Sequence, residues 1–182
     1  MIEIRIHGRG GQGAVTTGQI MAIAAFADGK ESQTFPMFGV ERAGAPVQAF
    51  ARISDTPINL RSQVYSPDVV IVLDASLIAA VDVTEGLKKN GLLIVNTNKK
   101  PGELGVKGDF NIHTIDATSI ALAIFNKPIV NTAVLGAFAK LTKLISLNSL
   151  LAAIDETLGS KKGREIAELN KKAITEVYQK TQ

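Results

Sequence analysis

The stretch IEIRIH, residues 2–7, puts Ile2, Ile4 and Ile6 on one side and Glu3, Arg5 and His7 on the other. A period of two with β-branched residues on one side predicts a strand that buries one face. The strand is expected to end at the glycines that follow. From Gln12 to about Asp28 the spacing changes, and Ala14, Gly18, Met21 and Ala25 fall on one helical stripe. ESQTFP predicts a second strand, and PVQAFARI a third with Val47, Ala49 and Ala51 on one face and Phe50 on the other. DVVIVLD is a continuous apolar run, the pattern of a central parallel strand covered on both faces, and it ends in Asp74 before a helix start at Ala75-Ser76. LLIVNT after Asn90-Gly91 repeats it, and FNIHTID is weaker, as suits an edge.

From Ala117 onward the period becomes helical, through NTAVLGAFAKLTKLI, SLNSLLAAIDETL and GREIAELNKKAITEVYQK, with Asn131 and Asn148 or nearby serines as caps. There is no repeat and no long linker. The pattern predicts a single domain spanning residues 1–182, a Rossmann-like three-layer α/β sandwich with a mostly parallel central sheet and a helical C-terminal region.

Composition narrows the chemistry. With 46% hydrophobic and 20% charged residues among 182, the chain has the make-up of a globular domain. It contains no cysteine, so it forms neither disulfides nor the thiolate bonds that hold iron–sulfur clusters. Two histidines, His7 and His113, leave little for a metal site or a catalytic triad. Net charge is +3, and the late cations Lys161, Lys162, Arg164, Lys171 and Lys172, without interleaved aromatics, are expected to form a solvated helix face rather than a nucleic-acid patch. No apolar run approaches the roughly 20 residues of a membrane span, and no leader pattern precedes the first strand. A cytoplasmic protein is expected.

Between the first strand and the first helix, Gly8-Arg9-Gly10-Gly11-Gln12-Gly13 satisfies G-x-G-x-x-G. Amide N–H groups at a helix N-terminus attract anions, and glycine lets a phosphate approach without a Cβ in the way. Arg9 is expected to add a full positive charge. The acid that a dinucleotide ribose needs at the end of the second strand is missing, because that strand ends in Phe35-Pro36. The same glycines would also serve a tight turn that packs the helix on the sheet. Alanine at Gly10 or Gly13 is expected to act on binding more than on folding, provided φ there is negative. A second loop, FPMFGVERAGAPVQAF, carries Glu41 and Arg42 among Gly39, Gly44 and two prolines. On spacing alone this is a surface ion pair, yet both loops follow strand ends that share one crevice in a parallel sheet.

Taken together, GRGGQGAVTTGQIMA, FPMFGVERAGAPVQAFARIS and SPDVVIVLD closely resemble the gamma subunit of the 2-oxoacid:ferredoxin oxidoreductases, most closely the pyruvate (pyruvate synthase) branch. The resemblance weakens after about Leu150. It implies a complex of alpha, beta, gamma and delta chains that oxidatively decarboxylates the 2-oxoacid, reduces ferredoxin and releases the acyl-coenzyme A. It implies thiamine diphosphate between alpha and beta, and iron–sulfur clusters in beta and delta, with no catalytic residue and no metal in this chain. It further implies that the chain closes over the active site and helps receive coenzyme A. Gly8, Arg9, Gly10, Gly11, Gln12 and Gly13 would then cradle the phosphates, while Gly39, Glu41, Arg42 and Gly44 would face the partner chains. Ala43-Gly44-Ala45-Pro46 is similar to pyruvate-type members, where 2-oxoglutarate-type members more often show Arg-Gly-Gly. A stand-alone NAD(P)-binding protein is the competing reading, resting on G-x-G-x-x-G alone, and a purely structural scaffold is a third.

Overall fold

In the computed structural model, which describes residues 1–37, 43–160 and 163–182, six strands form one sheet in the order β2-β3-β1-β4-β5-β6. They are β1 (Ile2–Arg9), β2 (Glu31–Pro36), β3 (Pro46–Ser54), β4 (Val69–Val72), β5 (Leu92–Asn96) and β6 (Asn111–Ile115). β1, β4, β5 and β6 are parallel neighbours, whereas β3 runs antiparallel to both β1 and β2. Two reversals bring β2 back into the direction of β1. The ends of β1 and β2 therefore share one edge of the sheet, as expected, although the second and third strands form an antiparallel hairpin. β4 is buried throughout and central, and β6 is the outer strand.

Five α-helices, α1 (Ala14–Ala27), α2 (Ala117–Phe125), α3 (Val134–Thr142), α4 (Leu147–Ile154) and α5 (Arg164–Lys180), contribute to one core with the face of the sheet that carries Ile4, Ile6, Ala49, Ala51 and Ile71. Ile4, Ile6, Ile20, Met21, Ile71 and Phe138 are fully buried there. Each such side chain contributes about 1.5–3 kcal/mol by leaving water. The opposite face carries Val70, Val72, Leu93 and Val95, and is covered by 3-10 turns and extended segments through Leu77, Val83, Leu87 and Phe110. The sandwich has its third layer, built of short turns rather than α-helices. Arg5 pins that layer to β1 by donating to the carbonyls of Val83 and Glu85.

The caps differ in part from expectation. Ser146 caps α4 by accepting from the Ser149 N–H, and Asp116 caps α2 by accepting from the Ser119 N–H. Asn131 caps nothing: α3 starts later, behind Ala133, and the Asn131 carbonyl instead accepts from Thr17 Oγ1 of α1 at 2.9 Å. Asn148 lies inside α4. No helix among the described residues is long and apolar enough to cross a membrane.

Candidate functional site

β1 delivers its last residue, Arg9, to the sheet edge where the chain must turn into α1. The turn is made in the left-handed region, with φ +91° at Gly11 and +81° at Gly13, the residue that precedes α1. Gly13 offers no side-chain cap, so the first-turn amides of α1 lack the partner that Ser or Asp would supply. At this helix end lies a cleft of about 400 Å³, lined by Gly11, Gln12, Gly13 and Thr16 from the loop and first turn, and by Ile129, Val130, Asn131, Leu158 and Ile166 among others. A second cleft, about 420 Å³, lies over the ends of β4, β5 and β6, between Asp74, Ser76, Asn96, Thr97 and Asp116. Gln12, Pro128 and Val130 line both clefts.

Arg9 is not free. Its Nε donates to Asp74 Oδ2 at 3.1 Å, one terminal nitrogen donates to the Gly44 carbonyl at 3.0 Å, and the other to Ser76 Oγ at 2.7 Å. The full positive charge expected of the loop is thus paired with a carboxylate, and attraction for an anion falls mainly to the helix N-terminus. Gln12 completes the arrangement, accepting from the Arg9 N–H at 2.8 Å and donating to Asp74 Oδ2 at 3.1 Å. Burial alone would raise the Asp74 carboxyl, but hydrogen bonds from Ser76, Gln12 and Arg9 outweigh it and hold the group below its ordinary range.

The two glycine-containing loops meet directly. Gly10 N–H donates to the Ala45 carbonyl at 2.8 Å, and Gly44 N–H donates to the Gly10 carbonyl at 3.1 Å. Gly8 sits beneath them, where an added Cβ would lie 3.2 Å from Leu73. Gly8, Arg9, Gly10, Gly11, Gln12, Gly13 and Gly44 are therefore assembled at one edge, whereas Gly39, Glu41 and Arg42 lie outside the described residues. Sequence reasoning missed Asp74, Ser76, Thr16 and Asn131. Asp74 had one signal, its place at the end of a central strand where such sheets bind ligands.

Comparison with known proteins bears on this geometry. A family model described as pyruvate ferredoxin/flavodoxin oxidoreductase matches residues 3–180. Pyruvate synthase subunit PorC of Methanothermobacter thermautotrophicus is 55% identical over 177 residues, covering 97% of this chain and 96% of that protein. The common gamma subunit of the pyruvate/ketoisovalerate oxidoreductases of Pyrococcus furiosus is 52% identical, over 100% and 98% of the two chains. The crystal structure of pyruvate oxidoreductase subunit PORC from Thermotoga maritima superposes with a TM-score of 0.84 at 38% identity, over 98% and 95% of the chains.

Proposed function

Because the chain belongs to the pyruvate ferredoxin/flavodoxin oxidoreductase family, as a gamma subunit of an enzyme that converts a 2-oxoacid to its acyl-coenzyme A while reducing ferredoxin, we propose that its glycine loop receives the phosphates of coenzyme A. The observation that carries the reading is the uncapped N-terminus of α1, presented by Gly11 and Gly13 to the cleft below Asn131. Ile129, Val130, Leu158 and Ile166 give that cleft an apolar wall suited to the pantetheine arm. In this proposal alpha, beta and delta chains complete the enzyme in the cytoplasm. Gly39, Glu41, Arg42 and Gly44 face them, thiamine diphosphate lies between alpha and beta, and iron–sulfur clusters lie in beta and delta. Thiamine diphosphate supplies the electron sink for decarboxylation. This chain has no cysteine to ligate a cluster, and the described residues contain no group of three acidic, histidine or cysteine side chains placed for a metal. Its residues bind and orient.

The decisive variant is Thr16→Glu, on the cleft wall in the first turn of α1. A carboxylate there suits the helix N-terminus and leaves folding intact, yet it opposes a phosphate. In the complex reconstituted with its partner chains, KM for coenzyme A should rise at least about tenfold, since like charges brought together cost several kcal/mol. KM for pyruvate should stay put. An unchanged coenzyme A KM in a folded, assembled variant removes the loop from the coenzyme site.

A further inference from the structure

Among the described residues, Asp74 accepts from both Arg9 and Gln12 of the glycine loop and from Ser76 beyond its own strand. It follows β4, whose ladder is continued by Leu73 N–H donating to the His7 carbonyl at 2.9 Å. Its Oδ1 accepts from the N–H and the hydroxyl of Ser76 at 3.0 and 2.6 Å, which fixes the carboxylate on the sheet. That leaves Oδ2 for Arg9 Nε and Gln12 Nε2, both at 3.1 Å. Both donors belong to the glycine loop, and Arg9 goes on to hold the Gly44 carbonyl of the second loop. A carboxylate with four donors, anchored just past the buried central strand, sets where two loops lie relative to the sheet.

We propose that Asp74 is a positioning residue for the coenzyme site, acting through Arg9 and Gln12 to set the glycine loop and the Gly44–Ala45 segment in register for the anion. The inference rests on the coenzyme A reading above. Asp74 itself does not meet the phosphates, since a carboxylate would repel them; its role is to consume the charge of Arg9 and fix its direction. An amide in its place keeps the Ser76 contacts on one side and turns an N–H₂ toward the Arg9 and Gln12 donors on the other.

The test is steady-state kinetics of the reconstituted complex carrying Asp74→Asn, Arg9→Ala or both, beside Thr16→Glu. Asp74→Asn should raise KM for coenzyme A about tenfold, with kcat at saturating coenzyme A and KM for pyruvate changed less than about twofold, because a misplaced binding loop weakens binding without touching the chemistry. Placed on Arg9→Ala it should add less than about twofold, as expected of two residues acting as one unit. Independent, multiplying effects overturn the proposal, and so does a fall in kcat that tracks loss of folded protein while coenzyme A KM stays constant. If Asp74→Asn fails to assemble, Ser76→Ala serves: it removes one Arg9 contact and one Asp74 contact, and should raise coenzyme A KM by a smaller factor. A Ser76→Ala enzyme with an unchanged coenzyme A KM sinks the proposal. A Thr16→Glu effect without an Asp74 effect rejects the positioning role alone, whereas the absence of any Thr16→Glu effect rejects the coenzyme site itself.

Discussion

At the scale of single residues, two glycines in one loop carry different burdens. Gly11 and Gly13 both adopt positive φ, but a Cβ on Gly11 meets nothing within 4 Å, whereas one on Gly13 would lie 2.6 Å from Asn131 Nδ2. The condition under which alanine at Gly13 would report binding alone is not met. Gly11→Ala should cost about 1 kcal/mol of stability from the left-handed backbone, and Gly13→Ala about 2–3 kcal/mol as the clash is added. Asn131→Ala should restore part of the Gly13→Ala loss in urea unfolding; equal losses at the two glycines would exonerate Asn131. His7 makes a different prediction. It is 1% exposed, and its Nε2 has no partner among the described residues. Burial, then the charge of Arg5, push its pKa from 6.5 down to about 4, against a weaker pull from Asp82. The unfolded chain takes up this proton near pH 6.5 and the folded chain only near 4. Stability is therefore complete above 6.5 and lost as pH falls through that window, by on the order of 3 kcal/mol. His7→Leu should flatten the stability profile between pH 6.5 and 4.5, and a mutant with the wild-type slope there assigns the proton to another group.

At the scale of elements, the hairpin of β2 and β3 depends on a buried cation. Arg52 of β3 is fully buried, donating to Glu3 Oε1 at 2.9 Å, Gln33 Oε1 at 3.0 Å and the Ser62 carbonyl at 2.8 Å, with its guanidinium 5.3 Å from the Phe35 ring centroid. One side chain thus joins β1, β2, β3 and the segment that leads to β4. Arg52→Ala should destabilise the chain by about 3 kcal/mol, and Arg52→Lys should rescue little, because a point charge cannot reproduce the planar fork. Urea unfolding checks both, and a stable Arg52→Lys chain counts against the multi-partner account. Alternation placed Val47, Ala49 and Ala51 on one face correctly, but it is blind to strand direction, so the reversal at β3 was not legible. Residues 75–91 and 97–110, on either side of β5, cover the second face in turns too short to show a helical period. Asn131 looked like a cap by composition, and only the fold reveals that its carbonyl is spent on Thr17.

At the scale of the whole molecule, the sheet, its edge and the two loops on it were readable because glycine motifs and apolar runs are local signals. The neutralisation of Arg9 was not, since its partner stands 65 residues away and nothing local marks it. Of the late cations, Arg164 and Lys172 are exposed as expected of a solvated face, whereas Lys171 is half-buried and lies 2.9 Å from Asp155 and 2.6 Å from Glu168. The antiparallel ladder of β1 and β3 has a consequence for motion. It is paired along its length, from Ile2 with Ile53 to Arg9 with Pro46, and at about 3.3 Å per residue it makes a beam roughly 25 Å long. Both loops are bolted to the same end of that beam, Gly10 to Ala45 and Gly44 to Gly10. A load on the Gly44 segment therefore has a direct path to the Gly10 backbone, through two hydrogen bonds and not through the core. The two loops form a single lever head.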